Sequence, residues 1–370
     1  MPRVTLVHDW LTGMRGGEKC LERLCRLFPD ASLATLFHSQ GKTSPIIENR
    51  VIQTSWLQHF PGWQHYYRHL LPLFPMAAQW RIAECDLVFS LSHCVAKATN
   101  PPQGVPHVCY CFTPMRYAWH MRDQYFAKRN TPTAWIRNKV LTRLRDWDCR
   151  TSDRVTHFIA ISQTVRQRIR ECYDRDSVVI YPPVDVDFYS PAPMAREDYY
   201  LVVSAFAPYK RIDLAVAACS KLGRRLVVIG TGQDAKRLRS IAGPTVKFLG
   251  WQTDEIISNH YRRCRALLFP GEEDFGIVPV EAQACGTPVI AFGRGGATET
   301  VRSDTGILFE EQSIGGVIAA IEQFENRINP FDSAVARKWA ETFSTRRFDA
   351  EISSHIQGVL GKPLPLRVAA

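Results

Sequence analysis

The chain has 370 residues, enough for two domains, and 45% of them are hydrophobic, as in a globular protein. No apolar run of about 18 residues occurs, so we expect no transmembrane helix, and the first residues run into a strand pattern rather than a secretory signal. The net charge of +10 favours an anionic partner, but no DNA or RNA recognition signature accompanies it, so we expect no nucleic-acid partner.

Short apolar runs alternate with helical patterns along most of the chain. Six runs are typical of the strands of a first sheet: residues 3–8, 33–37, 87–91, 107–112, 158–161 and 178–181. Five are typical of a second sheet: residues 200–205, 225–229, 246–249, 266–269 and 289–292. Apolar strands that alternate with helices predict an α/β fold whose parallel sheets are covered on both faces.

The first strand is followed by a turn that contains Gly16 and Gly17, and then by an amphipathic helix. Adjacent glycines allow the backbone to approach a ligand closely, and the free N–H groups of a helix start favour a phosphate. A tight strand–helix turn can also carry glycine for structural reasons alone, so both interpretations remain open for this motif.

Residues 55–82 are rich in aromatic, leucine and histidine side chains and poor in acids. Such a segment is typical of the interface with a lipid bilayer. It is equally typical of a helical segment that packs on its own domain and leaves some aromatic side chains exposed. We predict a peripheral contact with an anionic membrane and keep packing within the domain as the alternative.

Residues 181–193 contain four prolines, which prevent regular secondary structure. We interpret them as a linker and place the domain boundary near residue 190. This gives an N-terminal domain of residues 1–190 and a C-terminal domain of residues 191–345. A last helix, at about residues 346–370, can pack back on the first domain.

Two cations, Lys210 and Arg211, follow the first strand of the second domain. Open α/β sheets bind ligands at the carboxyl ends of their strands, so these side chains can neutralise a diphosphate there. A charged helix start without a ligand is the structural alternative.

Residues 269–291 carry the most informative pattern of the chain. They predict a buried strand, an acidic turn with glycine, a short helix and a second strand. The helix start presents three backbone amides, those of Phe275, Gly276 and Ile277, where an anion is favoured. Glu273 stands before this helix and Glu281 within it. Amides for a phosphate and carboxylates for hydroxyls suit a ligand that has both groups.

This segment resembles the retaining glycosyltransferases of family 4. Further motifs occur in the order found in that family: Gly16-Gly17, Ile159-Ala-Ile-Ser162, Pro182-Pro-Val-Asp185 and Tyr209-Lys-Arg-Ile-Asp213. Gly16-Gly-Glu-Lys19 with Thr113-Pro-Met-Arg-Tyr117 most resembles the mannosyltransferase-like members of lipopolysaccharide and exopolysaccharide assembly. The resemblance covers roughly residues 3–345 and implies an α/β, GT-B architecture, in which two Rossmann-like domains with parallel sheets face each other across a cleft.

The resemblance also implies residue roles, with the acceptor on the first domain and the nucleotide sugar on the second. Glu273 is the implied catalytic residue that binds sugar hydroxyls, and Glu281 is implied to bind the ribose. Backbone near Gly250 is implied to meet the base. The implied donor-binding residues are Gly16, Gly17, Lys210, Arg211, Phe275, Gly276, Ile277 and Glu281.

One departure from the family concerns charge. Family members commonly carry an arginine five residues before the lysine, and this chain has Ala205 there. We expect Arg211 or a first-domain cation, Arg15 or Arg116, to compensate for the missing diphosphate ligand.

A second departure concerns the reacting centre. Many members carry a histidine before the Thr-Pro motif, and this chain has Phe112 at that position. His93 and His120 are candidate substitutes, although each can instead be structural. We take His93 as the second catalytic candidate and His120 as an auxiliary one.

We expect neither a metal nor a cofactor, because cations and helix dipoles already supply the positive charge. Asp185-Val-Asp187 imitates a metal-binding DxD motif, but Asp146-Trp-Asp148 imitates it equally well. Gly230-Thr-Gly232 imitates a dinucleotide fingerprint, but it does not follow the first strand of its domain, so a nicotinamide cofactor is not expected.

The sequence therefore predicts a retaining hexosyltransferase that moves mannose from GDP-mannose to a glycan or lipid-linked glycan. A UDP-hexose donor is one alternative, and a non-catalytic nucleotide-sugar-binding protein, suggested by Ala205 and Phe112, is another. The 11 cysteines are scattered without a Cys-x-x-Cys pair, which is typical of thiols in a reducing compartment. We expect a cytoplasmic protein on the inner face of the membrane.

Overall fold

The computed structural model describes residues 2–116, 118–119 and 132–361 of the chain. Two compact units make up the chain. Unit 1 comprises Met1–Pro183 and Phe348–Ala370, and unit 2 comprises Val184–Arg347. The first division falls inside the proline-rich residues 181–193, and a last helix returns the chain to unit 1.

Unit 1 contains a parallel sheet of seven strands. They are β1 Val4–His8, β2 Ser32–Thr35, β3 Ile52–Thr54, β4 Leu87–Ser92, β5 His107–Cys111, β6 His157–Ala160 and β7 Ser177–Val179. Their spatial order is β3-β2-β1-β4-β5-β6-β7. The six predicted runs are confirmed as strands. The sequence pattern does not predict β3, because this three-residue edge strand is only partly buried and carries no apolar run.

The helices of unit 1 lie between these strands. The α-helices are α1 Gly16–Leu27, α2 Pro45–Glu48, α3 Trp63–Tyr66, α4 Phe74–Ala77, α5 Pro132–Thr151 and α6 Gln163–Tyr173. The described residues of this unit also form four 3₁₀ segments: Trp56–His59, Tyr67–Leu73, Ala96–Ala98 and Ser152–Arg154. Side-chain capping defines the start of α6, where the Ser162 hydroxyl accepts a hydrogen bond from the Val165 N–H at 3.0 Å.

The aromatic segment at residues 55–82 forms a core of unit 1. Trp63 stacks on Phe37 with ring centroids 4.7 Å apart, and Phe74 and Tyr67 pack against Trp10. These rings are buried together with Leu141 and Leu144 of α5. Packing within the domain therefore accounts for most of the aromatic side chains of this segment, and few of them are exposed. Trp56 and Met76 are the large apolar side chains of this segment that remain exposed, at 44% and 57%.

Unit 2 contains a parallel sheet of six strands. They are β8 Tyr200–Val203, β9 Leu226–Ile229, β10 Val246–Gly250, β11 Leu267–Phe269, β12 Val289–Phe292 and β13 Gly306–Phe309. Their spatial order is β10-β9-β8-β11-β12-β13. The five predicted strands are confirmed, and the sequence pattern does not predict β13, which begins with glycine at the sheet edge and exposes Leu308.

Helices cover this second sheet as well. They are α7 Ile212–Leu222, α8 Ala235–Ser240, α9 Asp254–Arg263, α10 Ile277–Ala284, α11 Ala297–Thr300, α12 Ile314–Glu325 and α13 Ser333–Glu341, followed by α14 Thr345–Leu360. A 3₁₀ turn, Pro208–Lys210, precedes α7. From Phe348 onward α14 belongs to unit 1, where Phe348 packs on Tyr110 with ring centroids 5.7 Å apart.

Two further observations concern the whole described chain. None of the helices formed by its described residues is long and apolar enough to span a bilayer. All eleven cysteines are free thiols, and all but Cys149 are buried. Burial raises the pKa of several of these thiols, for example that of Cys285 to about 11, so they act as small apolar core side chains.

Candidate active site

The sheet order of unit 2 has a topological switch point at its central strands. Strand β8 lies between β9 and β11. The chain adds β9 and β10 on one side of β8 and then β11, β12 and β13 on the other side. Ligands bind at such a switch point, outside the carboxyl ends of the two central strands. The loop after β8 carries Lys210, and the loop after β11 carries Glu273.

Lys210 and Glu273 meet at this switch point. The Lys210 Nζ lies 2.5 Å from the Glu273 Oε1, and both side chains are largely buried, with 15% and 22% of their surface exposed. An ion pair in this partly dry position is stronger than one on the open surface, because water screens it less. The pair therefore presents a cation and a carboxylate, both held in place, to anything bound at the switch point.

Close backbone contacts fix both loops. A Cβ on Gly271 would lie 2.8 Å from the Lys210 carbonyl oxygen, so only glycine lets these two loops touch. Gly295 has a φ of +63°, and a Cβ there would lie 2.4 Å from the Glu273 carbonyl oxygen. That oxygen also accepts a hydrogen bond from the Gly296 N–H at 2.8 Å. Gly295 and Gly296 thus position the Glu273 backbone.

The predicted short helix is confirmed as α10, directly after Glu273. Its N-cap is Gly276, in the left-handed region with a φ of +87°, and no side chain caps this helix start. Ile277 is the first helical residue, and Phe275 is buried against Phe343 with ring centroids 5.6 Å apart. The partial positive charge of the helix start is therefore not neutralised by a capping side chain.

Glu281 lies in α10, as predicted, but it is 6% exposed and faces other side chains of unit 2. The Tyr261 hydroxyl donates a hydrogen bond to its Oε2 at 3.3 Å. Burial raises the pKa of Tyr261 well above its ordinary value, and the charge of Glu281 raises it further. A contact between Glu281 and a ribose stays a prediction.

Arg211 contacts other residues than Lys210 does. It has a left-handed backbone with a φ of +51°, and its guanidinium donates to Asp213 at 3.3 Å and to Gln312 at 3.4 Å. Gln312 in turn donates to the Pro270 carbonyl at 2.9 Å. Arg211 therefore braces the loop after β11, and a direct contact with a diphosphate stays a prediction.

Gly250 ends the edge strand β10, where its carbonyl accepts a hydrogen bond from the Gly230 N–H at 2.7 Å. The next residue, Trp251, is 72% exposed. The carboxyl end of this strand thus offers both free space beside a glycine and an aromatic face, and the predicted contact with a base remains a prediction.

The glycine turn of unit 1 lies at the start of α1. Gly16 is the first helical residue, and the Arg15 N–H donates to Glu18 Oε2 at 3.1 Å. A Cβ on Gly17 would lie 3.3 Å from the Phe112 ring. Glycine therefore has a packing role here as well as the predicted ligand role, which stays a prediction.

Two of the auxiliary candidates follow β5. Arg116 lies in the loop after this strand and is partly buried. His120 lies outside the described residues, so its predicted role stays a prediction.

His93 is held by a residue that the sequence pattern does not single out. It follows β4, and its Nδ1 lies 2.9 Å from the Oδ2 of Asp9, which follows β1. Asp9 is fully buried; burial alone raises the pKa of its carboxyl, but the His93 contacts and hydrogen bonds outweigh it and lower that pKa to about 2. The sequence signal for Asp9 is its position directly after a buried parallel strand.

The two DxD-like motifs have other surroundings. Asp148 is buried beside Lys97, with their charged atoms 3.0 Å apart, and accepts hydrogen bonds from Trp119 and Tyr173 at 2.8 Å each. Asp185 accepts from the Phe188 N–H at 3.0 Å. Within residues 2–116, 118–119 and 132–361 no group of three or more His, Cys, Asp or Glu side chains has the arrangement of a metal site. Metal-free chemistry stays a prediction.

Two family models match the chain, one after the other. The model described as Glycosyltransferase Family 4 matches residues 14–188, and the model described as Glycosyl transferases group 1 matches residues 188–334. Together they cover most of the chain and meet near the division between the two units. Residues 14–188 therefore match the family 4 glycosyltransferases and residues 188–334 the group 1 glycosyl transferases, and the two parallel-sheet units have the GT-B fold.

Curated relatives match part of the chain. The D-inositol 3-phosphate glycosyltransferase of Geodermatophilus obscurus is 33% identical over 204 residues, which is 47% of this chain and 45% of that protein. The protein of the same name from Mycobacterium sp. (strain JLS) is 31% identical over 189 residues, which is 45% of this chain and 43% of that protein. The chain thus spans about half the length of the curated relatives it matches.

Solved structures match the chain over nearly its whole length. The crystal structure of Anabaena Alr3699/HepE in complex with UDP and glucose has a TM-score of 0.72 at 19% identity and covers 95% of this chain and 99% of that one. Sucrose-phosphate synthase from Thermosynechococcus elongatus has a TM-score of 0.65 at 16% identity and covers 97% of this chain and 99% of that one. At these identities the likeness concerns the fold.

Proposed function

We propose that this protein is a retaining glycosyltransferase that moves a sugar from a nucleoside diphosphate sugar to a glycan or lipid-linked glycan. The observation that carries the proposal is the Lys210–Glu273 pair at the switch point of unit 2, beside the uncapped start of α10. Departure of a nucleoside diphosphate develops negative charge, which a fixed cation and a helix start stabilise. The Glu273 carboxylate can accept hydrogen bonds from sugar hydroxyls.

The donor that we propose first is GDP-mannose, on the resemblance of the Gly16-Gly-Glu-Lys19 and Thr113-Pro-Met-Arg-Tyr117 motifs to mannosyltransferases. A UDP-hexose is the second candidate, and a specific observation favours it. Similar solved structures are described in complex with UDP and with UDP-glucose. Both candidates carry the same diphosphate, so we propose that the backbone near Gly250, together with the contacts to the sugar hydroxyls, distinguishes them.

We also propose that unit 1 contacts an anionic membrane, where a lipid-linked acceptor would lie. Residues 55–82 contain no Asp or Glu and expose Trp56 and Met76. Helix α5 shares a core with this segment and exposes Trp135, at 69%, with Lys139 Nζ 5.1 Å from its ring centroid. Exposed aromatic rings beside cations suit the headgroup region of a bilayer.

A thermal-shift screen of nucleotides and nucleotide sugars tests the donor. A ligand that binds only the folded protein raises the Tm, and at equal ligand concentration the tighter ligand raises it more, so GDP-mannose should give the largest shift if the first candidate is correct. A larger shift with a UDP-hexose would select the second.

Nucleotide release then separates an enzyme from a binding protein. We expect the selected donor to lose its sugar with release of the nucleoside diphosphate when a lipid-linked glycan fraction is added, and the anomeric configuration to be retained in the product. Donor binding without nucleotide release in any acceptor mixture would instead establish the non-catalytic binder that Ala205 and Phe112 suggest.

A further inference from the structure

The sheet of unit 1 has a switch point of its own. Strand β1 lies between β2 and β4, so a ligand is expected outside the carboxyl ends of β1 and β4. Asp9 directly follows β1, and His93 directly follows β4. These two residues therefore occupy in unit 1 the same topological position that Lys210 and Glu273 occupy in unit 2.

Asp9 has both carboxylate oxygens fully engaged. Oδ2 accepts from the N–H groups of His93 and Cys94 at 2.6 and 3.0 Å, and Oδ1 accepts from those of Val95 and Ala96 at 2.6 and 2.7 Å. Four amide donors around one buried carboxylate keep it ionised and fix the turn after β4. The same turn carries the His93 ring.

The carboxylate also decides where the His93 ring carries its proton. An ionised carboxylate can only accept hydrogen bonds, so the Nδ1 of His93, 2.9 Å from Asp9, must carry a hydrogen. In the neutral ring the other nitrogen, Nε2, is then an acceptor. Among the described residues none forms a hydrogen bond with Nε2.

Apolar rings hold the imidazole in one orientation. Trp10 contacts it edge-on with ring centroids 4.5 Å apart, and Phe112 lies on another side at 6.4 Å. The His93 side chain is 30% exposed, so the ring is fixed but reachable from solvent. A fixed acceptor atom at a switch point is suited to a hydroxyl group of a bound ligand.

We propose that His93 Nε2 accepts a hydrogen bond from a hydroxyl of the sugar substrate, and that Asp9 is the positioning residue that sets its tautomer and orientation. This inference rests on the proposed function. The hydroxyl belongs either to the hexose of the donor or to the glycan acceptor, and the chemistry at Nε2 is the same for both.

Three variants test the pair: His93→Gln, Asp9→Asn and their combination. We expect His93→Gln to keep the Tm, because the four backbone bonds to Asp9 remain. We expect it to lower turnover about ten- to a hundredfold, because the flexible Gln amide no longer holds an acceptor fixed at the position of Nε2. Asp9→Asn should lower turnover similarly, and the double variant should be no worse than His93→Gln. Losses that multiply in the double variant would mean that Asp9 only supports the fold.

Two further experiments identify the hydroxyl group that His93 contacts. If it belongs to the donor, His93→Gln slows donor hydrolysis in the absence of acceptor as much as transfer, and if it belongs to the acceptor, only transfer slows. With a deoxy analogue that lacks the contacted hydroxyl, wild type and His93→Gln should react equally fast. A merely structural role of His93 would not remove the difference between them.

The inference and the proposed function fail differently. If wild type releases no nucleotide from any sugar donor, the proposed function is rejected. If wild type is active and both His93→Gln and His93→Ala keep its kcat and KM, the hydrogen bond to His93 is rejected and the function stands.

Discussion

The Lys210 ammonium and the Glu273 carboxylate, from loops after two neighbouring strands, approach to 2.5 Å at the switch point of unit 2. A diphosphate bound at the start of α10 would draw on the same ammonium. Glu273 and the proposed donor phosphates would then share one cation, which would couple the position of the carboxylate to occupancy of the phosphate site. The predictions below follow from this geometry and from the buried groups around it.

Removal of the ammonium should weaken donor binding. We expect Lys210→Ala to raise the donor Kd by about ten- to a hundredfold, as for loss of one charge-assisted bond to a phosphate, and the effect to be larger at low salt because ions screen it. Isothermal titration at two salt concentrations measures this. Lys221→Ala removes the same charge from an exposed position of unit 2 and should leave Kd unchanged. An effect independent of salt would contradict the electrostatic role.

Loss of the Glu273 charge should separate binding from transfer. We expect Glu273→Gln to keep the Tm and donor binding, since Lys210 is then free to contact phosphate, while transfer falls at least about a hundredfold. Initial rates and donor Kd measure the two effects. Glu272→Gln alters the neighbouring carboxylate and should retain transfer. Near wild-type transfer by Glu273→Gln would refute the assignment of the site.

The glycine that positions Glu273 should tolerate no side chain. We expect Gly295→Ala to destabilise unit 2 by about 1–3 kcal/mol, because its backbone is left-handed and a Cβ would meet the Glu273 carbonyl oxygen. Urea unfolding measures the change, and transfer should fall with it. Gly358 lies in α14 with open space around it, so Gly358→Ala should be neutral or stabilising. Equal stability of the two variants would show that the close approach is not required.

Stability should fall on mild acidification because of a buried histidine. Burial lowers the pKa of His107 to about 4, and its Nε2 lies 2.8 Å from the Ser90 hydroxyl. In the unfolded chain His107 binds a proton near pH 6.5, the ordinary pKa of histidine, whereas in the folded chain it stays neutral down to about pH 4. Protonation therefore favours the unfolded chain, so the free energy of unfolding is fully retained above about pH 6.5 and falls as the pH drops towards 4. Between pH 7 and pH 5 the loss should be about 2 kcal/mol.

A matched variant isolates this effect. Burial also lowers the pKa of His8, His260 and His355, so wild type loses more stability than His107 alone explains. His107→Gln should lose less free energy of unfolding than wild type over this pH interval, as measured by urea titration. Identical pH dependence in both proteins would remove His107 as the cause.

The membrane contact predicts a loss of vesicle binding. We expect Trp56→Ser with Trp135→Ser to weaken sedimentation with anionic phosphatidylglycerol vesicles by about tenfold or more and to leave the Tm nearly unchanged, because both rings are exposed. Ile328→Ser changes an apolar side chain of unit 2 that is 96% exposed and serves as the control. Undiminished binding of the double variant would remove the membrane hypothesis. Trp63 is unsuitable for this test, because it is buried in the core.

Sequence patterns predict the regular parts of this fold well. Buried strands such as β4 and β12 carry continuous apolar runs, so their positions follow from composition and spacing. The edge strands β3 and β13 escape prediction, because β3 carries no continuous apolar run and β13 begins with glycine and exposes Leu308. Residues 55–82 show a second limit of sequence-based prediction, since composition cannot distinguish aromatic rings buried in a core from rings that face a membrane.

The sequence by itself determined the class of fold, the short helix α10, and the candidates Lys210 and Glu273, because these depend on local patterns. Only the tertiary structure decided that Lys210 pairs with Glu273, that Glu281 faces Tyr261, and that Asp9 fixes His93. Asp9 and His93 are 84 residues apart in the chain. Strand order brings such residues together, and strand order is set by how the helices cover the sheet rather than by any local motif.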